Sequence, residues 1–441
     1  MFQRNRVIEI IKIKNVFESA KVDNAIMSVK KTESSTTNYT ICFKDVNESF
    51  LNPNTYYTDI DKFRTYPNKV FFVPNELNLT IYSKFKDKIN DLENEWLDKI
   101  KTSKTIEKNK KQLNKYRNSL EPGDVTLLGL ITEGGQGLAT ANNGKYVGIL
   151  ENTKGANKIL ESRPKKLFDA INANDITDLK FIKDVSAARD FLSTKSEIET
   201  RKLFDDLKDE YGRDIFGQGY LFRIVSHNEI ADISSLSSKD KEYGIKNGPS
   251  YVLYDKGDKE GNRYYLESPY YIDWSEDNVS FLKANSGKKG KGMPVVRNPD
   301  FYFKSGFCWN NVLDTQSKFI KCRLKSESIH DVASMSLFPV VDTMTAKYLV
   351  CMLNSTFLYH YQRTFVNNTV NLQMNDFRQH PIIVPSQEQL EVFESIFDDA
   401  YNIKVEYFNK TISKSKEKEK LDEIQLRLDN EVNKLYGVTI D

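Results

Sequence analysis

The sequence predicts an α/β protein in the α+β sense, with mixed short strands and helices framed by long amphipathic helices. Three observations carry that prediction. Strand-type alternation runs through the first 85 or so residues, apolar residues at three- and four-residue steps occupy 84–118 and 386–436, and short strand-like runs mix with short helices between about 120 and 385. At 441 residues the chain has room for two or three domains. Hydrophobic residues at 39% and aromatics at 12% provide real cores and exclude a disordered chain.

Val7 to Ile13 and Tyr39 to Phe43 alternate apolar and polar residues, the period of a half-buried strand. Lys69-Val70-Phe71-Phe72-Val73 reads as a short buried strand stopped by Pro74. Phe85, Ile89, Leu92, Trp96 and Ile100 then mark an amphipathic helix. Its end is basic, with Lys99, Lys101, Lys104, Lys108, Lys110, Lys111, Lys115 and Arg117 against Glu107. That end is either a solvated helix face or a surface for phosphates. Glu121-Pro122-Gly123-Asp124 is a turn that opens a new region, in which Ile198 to Leu207 reads as a helix. A loop rich in Gly and Lys spans Asn285 to Gly292. Ser386 and Gln389 form a capping box before the apolar face of Val392, Phe393, Ile396, Phe397 and Ala400. Lys414 to Lys420 reads as a charged turn, followed by a last helix from Leu421 to Tyr436 that Gly437 ends.

Net charge is only +2, so any polyanion partner must be met by local patches. The cysteines Cys42, Cys308, Cys322 and Cys351 form no CxxC pair, which argues against zinc and thiol-redox chemistry and suits a reducing cytoplasm. Charges at Arg4, Arg6, Glu9, Lys12 and Lys14 break the apolar run a signal peptide needs, and no stretch reaches the roughly 20 apolar residues of a spanning helix. A cytoplasmic location without membrane contact is therefore expected. The sequence holds no GxxxxGK[ST], GxGxxG, HExxH or GxSxG pattern, and His227, His330, His360 and His380 are scattered.

Three segments nevertheless resemble one family. Asn15-Val16-Phe17-Glu18-Ser19-Ala20-Lys21-Val22-Asp23-Asn24-Ala25-Ile26 resembles the late catalytic-domain motif of N6-adenine DNA methyltransferases, a turn and strand beside the adenine pocket. Gly135 to Val147 resembles the opening motif of target recognition domains in type IIG restriction–modification enzymes and in methyltransferases of BREX phage-defence systems, with Ala141 where the pattern has its second glycine. Lys347-Tyr348-Leu349-Val350-Cys351-Met352-Leu353-Asn354-Ser355, then His380-Pro381-Ile382-Ile383-Val384-Pro385, resembles the closing half of the same domains, where a helix ends in Leu-Asn-Ser and a proline-bounded strand leads into a last helix.

The resemblance implies a division of the chain. Residues 1–83 would be the last strands of a methyltransferase domain, 84–119 a helical spacer, 120–385 a target recognition domain and 386–441 a closing helical segment. It also implies double-stranded DNA as partner and a role in phage defence. The (Asn/Asp/Ser)-Pro-Pro-aromatic motif that grips a flipped adenine is missing, since Asn52-Pro53-Asn54-Thr55 lacks the second proline and the aromatic. The glycine-rich S-adenosylmethionine loop is missing too, so this chain is expected to hold no cofactor and to be non-catalytic alone. The cofactor and the catalysis would belong to an upstream methyltransferase polypeptide.

Lys288, Lys289 and Lys291, with Arg297 beyond them, are the expected clamp on the DNA backbone. Asn142, Asn143 and Lys145 are the expected readers of base edges, since Asn pairs with adenine and Lys reaches guanine. Both segments could equally be a plain glycine-rich turn and a surface loop. Competing functions are a type I-like specificity subunit, a non-catalytic adaptor built on the helices at 84–118 and 386–436, and a self-sufficient nuclease.

Overall fold

The computed structural model describes residues 5–13, 24–32, 38–46, 52–66, 70–217, 223–258, 260–290, 292–309, 312, 318–369 and 371–440. The chain is α+β, as its periodicities predict. Most of the methyltransferase-like motif at Asn15–Ile26 and the clamp residue Lys291 lie outside the described residues.

A four-stranded sheet comes first, made of β1 (Asn5–Ile13), β2 (Asn24–Lys31), β3 (Thr40–Val46) and β4 (Asn54–Asp59) in the order β2-β1-β3-β4. β1 and β3 run parallel, with Ile10 beside Phe43, and the other pairs are antiparallel. A register shift between Val7 and Glu9 places Val7 and Ile10, three residues apart, on the same buried side of β1. α1 (Asp61–Thr65) follows.

Of the strand expected at 69–73, the described residues 70–73 join no sheet. Phe72 packs on Phe63 and Phe365 at ring distances of 5.0 Å, and Asn78 Nδ2 donates to the Val73 carbonyl at 2.7 Å. The burial is that of a strand, but a side chain meets the carbonyl that a neighbouring strand would have met.

α2 (Glu76–Trp96) begins a residue after Asn75, whose side chain caps it, and buries Ile81, Phe85, Ile89, Leu92 and Trp96 along one face. Each such side chain contributes roughly 1.5–3 kcal/mol. The helix read from 84 to 118 is in fact two. Thr102 and Thr105 form a capping box that opens α3 (Ser103–Arg117) after a break.

Next come β5 (Val125–Leu127), α4 (Leu128–Ile131), β6 (Thr132–Gly135), α5 (Asn143–Tyr146) and β7 (Val147–Leu150). A helical insertion of α6 (Lys154–Asn174), α7 (Val185–Ser193) and α8 (Glu197–Tyr211) precedes β8 (Arg223–Val225). The insertion has its own apolar cluster around Leu167, Ile171, Phe204 and Phe216, and the bidentate Arg163–Glu197 pair at 2.6 and 2.8 Å ties α6 to α8. After α9 (Ser238–Tyr243), β9 (Tyr251–Asp255), β10 (Tyr270–Asp273), α10 (Glu276–Ala284), β11 (Lys304–Trp309), β12 (Cys322–His330) and β13 (Ser336–Pro339), an eight-stranded sheet is complete in the order β6-β13-β11-β12-β9-β10-β7-β8.

The chain closes through α11 (Ala346–Leu353), α12 (Thr356–Tyr361), α13 (Met374–Phe377), β14 (Pro381–Ile383), α14 (Gln387–Phe408) and α15 (Lys414–Tyr436). β14 pairs with β5. Lys414–Lys420, read as a turn, is the first part of α15. Ser413 caps it, Lys416–Glu419 and Lys418–Asp422 pair along its surface, and Glu417 is buried against Lys404. These local pairs favour helix over turn. On α14, Phe393, Ile396, Phe397 and Ala400 are buried as expected, whereas Val392 is 44% exposed.

One apolar cluster takes in Phe43, Phe85, Leu130, Phe307, Leu353, Phe393 and Leu428. A second gathers Val147, Val252, Ile272, Trp274 and Ile329 under the far half of the large sheet. Most of the apolar residues of α2, α14 and α15 are thus buried within the chain, with Val392 and Leu426 exposed.

Candidate nucleic-acid interface

β6 is one edge of the large sheet and β7 lies near the other, so the segment joining them must cross it. The glycines make the crossing possible. Gly134 and Gly135 have φ of +129° and +153°. A Cβ on Gly137 would stand 1.8 Å from the His330 carbonyl oxygen, the atom to which Leu138 donates its N–H at 2.8 Å. Beyond it, the buried Tyr254 hydroxyl donates to the Leu138 carbonyl at 2.9 Å. Thr140, also buried, donates to Asn143 Oδ1 at 2.6 Å. Ala141 sits at φ +52°, the left-handed backbone that glycine adopts freely.

The Gly/Lys loop follows α10. It closes on itself where Gly287 N–H meets the Pro294 carbonyl at 2.9 Å and Val296 N–H meets Ser286 Oγ at 2.9 Å. Gly287, Gly290 and Gly292 all have positive φ. Ala139 and Val295 exchange backbone hydrogen bonds of 3.0 and 2.8 Å, and Asn298 Nδ2 donates to the Gln136 carbonyl at 2.8 Å. The described residues of 136–146 and 285–298 therefore form one rim. Arg213, just past α8, donates to the Ala141 carbonyl and is itself held by Asp214 at 2.9 Å.

The predicted residues stand on this rim in different states. Lys288 and Lys289 are exposed, and Lys288 Nζ reaches Asn285 Oδ1 at 3.1 Å. Lys145 is half-buried, its ammonium 5.9 Å from the Tyr146 ring and 5.8 Å from the Phe281 ring. Asn143 spends its carbonyl oxygen on Thr140. Asn142 Oδ1 and one Arg297 guanidinium nitrogen are buried without a hydrogen-bond partner in the described structure. Arg213, Asn298 and Arg378 are residues that sequence reasoning missed. Arg378 donates to the carbonyls of Ile100 at 3.3 Å and Gly134 at 3.5 Å. Their partners lie from 72 to 278 residues away, so no local pattern announces them.

The floor beneath the rim is charged and buried. Burial alone would raise the Asp255 carboxyl, but Arg323 at 2.9 Å holds it below its ordinary value. Burial pulls Lys325 down to about 8, and its ammonium donates to the carbonyls of Lys304, Ser326 and Ser328 at 2.9, 3.0 and 3.0 Å. Burial also drives His330 down to about 3, which keeps the ring neutral. All sit where β12 meets β9, the parallel seam between the two halves of the sheet.

Among the described residues, no group of three or more His, Cys, Asp or Glu side chains could hold a metal ion, and no helix is long and apolar enough to cross a membrane. The strands of the first sheet carry no glycine, the first glycine of the chain being Gly123.

No protein-family model matches the chain, and no curated protein matches it. Among solved structures, the Type IIL restriction-modification enzyme MmeI in complex with DNA is similar at a TM-score of 0.39 and 10% sequence identity. The likeness covers 99% of this chain and 44% of that one, so this chain spans less than half the length of the neighbour. A likeness of that size leaves function to be argued from the residues.

Proposed function

We propose that this chain is the DNA-reading part of an adenine-specific restriction–modification methyltransferase acting in phage defence in the cytoplasm. The observation that carries the reading is the joining of residues 136–146 to 285–298 through the Ala139–Val295 pair. A segment that the family resemblance marks, 136–146, there meets a lysine-rich loop picked out only by its composition. The left-handed Ala141 supports it, because the backbone there takes the form that the family's glycine would take.

In this reading Lys288, Lys289, Lys291 and Arg297 neutralise DNA phosphates and release counterions. Asn142 and Lys145 meet base edges, while Asn143 shapes the loop from which they project. The adenine is methylated by a separate upstream polypeptide that carries the Asn-Pro-Pro-aromatic motif and S-adenosylmethionine. The test is duplex binding by the purified chain in a salt series, followed by methyl transfer with and without that polypeptide. The expected result is salt-dependent binding by the chain alone and adenine methylation only by the pair. Binding that ignores salt, or methyl transfer by the chain alone, would overturn the reading.

A further inference from the structure

The basic end of the helical segment forms a surface that the rim does not include. Lys104, Lys108, Lys111 and Lys115 of α3 are all exposed. At 3.6 residues per turn they fall within an arc of roughly 60°, a single stripe along the helix. Leu113, fully buried, and Ile106, half-buried, lie on the opposite side. None of the four ammonium groups has an ion-pair partner among the described residues, and the single acid of the helix, Glu107, is taken by Lys110 at 3.3 Å. Four like charges on one helix face repel one another. Their arrangement weakens the helix unless an anion relieves it.

We propose that this stripe is a second DNA-contact site, a rail that follows the phosphates of one strand beside the recognition rim. The proposal rests on the DNA-binding reading above. From Lys104 to Lys115 the helix rises about 16 Å. Laid along a duplex, that length spans about five base pairs. The rail is coupled to the rim by named contacts. Arg378 bridges the Ile100 carbonyl before α3 and the Gly134 carbonyl where the crossing begins, and Arg117 at the helix end pairs with Glu133 of β6 at 2.8 Å. An anionic membrane is the less suitable polyanion. A helix that lies on lipid inserts an apolar face, and the apolar side of α3 is turned into the protein, with no large exposed hydrophobic residue on the helix among those described.

The test replaces all four lysines by glutamine, which keeps helix propensity, and measures binding to a mixed-sequence duplex across a salt series. A control removes four exposed lysines elsewhere, Lys410, Lys414, Lys416 and Lys418. The expected result is a loss of about tenfold or more in affinity and a salt slope shallower by about 3, with circular dichroism unchanged and the control close to wild type. An unchanged slope, or an equal loss in the control, would overturn the rail while leaving the rim's function standing. Failure of the wild-type chain to bind any duplex would remove both. Lysine-dependent binding to phosphatidylserine vesicles in preference to duplex would replace DNA by a membrane as the partner of α3.

Discussion

The side-chain amide of Asn354 holds both polar groups of the Cys322 peptide. Its Oδ1 accepts from Cys322 N at 3.0 Å and its Nδ2 donates to the Cys322 carbonyl at 2.8 Å, with both residues fully buried. The helix α11 thereby ends on the first residue of β12, and Ser355 caps α12 immediately afterwards. The Leu-Asn-Ser motif is a joint between helix and sheet. Asn354→Leu keeps the bulk and removes both bonds, so it should cost about 1–3 kcal/mol. The midpoint of urea unfolding checks this, and an unchanged midpoint would refute the joint.

Opposite effects are expected at two neighbouring positions of the crossing segment. Gly137→Ala places a methyl where the His330 carbonyl already stands, and the segment must move. A loss of roughly 1–3 kcal/mol is expected, along with weaker duplex binding. Ala141→Gly relieves a left-handed alanine and should stabilise the fold by up to about 1 kcal/mol. Thermal melts of the two variants distinguish the signs.

The rim residues should separate by role. Replacing Lys288, Lys289 and Lys291 with Ala should weaken binding to all sequences about equally and flatten the salt slope by about 0.9 for each phosphate left unneutralised. Asn142→Ala should instead cost about 1–3 kcal/mol at the cognate site and little elsewhere. Competition binding between cognate and unrelated duplexes reads both. A selective loss on removing the lysines would mean that the loop reads bases.

Stability should fall as pH drops below neutrality. Burial depresses His330 to about 3 and His380 to about 4, while in the unfolded chain both protonate near 6.5. Below that value the unfolded state binds more protons than the folded one. Stability is therefore full above pH 6.5 and declines towards the depressed values, by on the order of 1 kcal/mol per pH unit for each histidine. Urea melts from pH 7 down to about pH 5 check the slope, and His380→Gln should reduce it.

The local features of the chain are legible without any tertiary information. Apolar spacing places the faces of α2 and α14, the Ser386–Gln389 box places the start of α14, and the alternation at Tyr39–Phe43 places β3. Each depends on residues within a turn or two, where backbone geometry fixes which side chains are neighbours. The same local view misjudges Val70–Val73, where the Val73 carbonyl accepts from Asn75 N and Asn78 Nδ2, and the start of α15, where Lys404 on another helix buries Glu417.

The sequence alone determined the alphabet of the site, namely the glycines, amides and lysines of residues 135–147 and 285–292. Tertiary structure decided their grammar. Ala139 meets Val295, Asn298 meets Gln136 and Arg213 meets Ala141 only because the fold around an eight-stranded sheet brings distant segments together. Gly137 is required by a carbonyl nearly two hundred residues away at His330, a close approach that composition and periodicity do not encode. Pairings of that kind follow from how whole elements pack, and packing is the one property that no stretch of the chain possesses by itself.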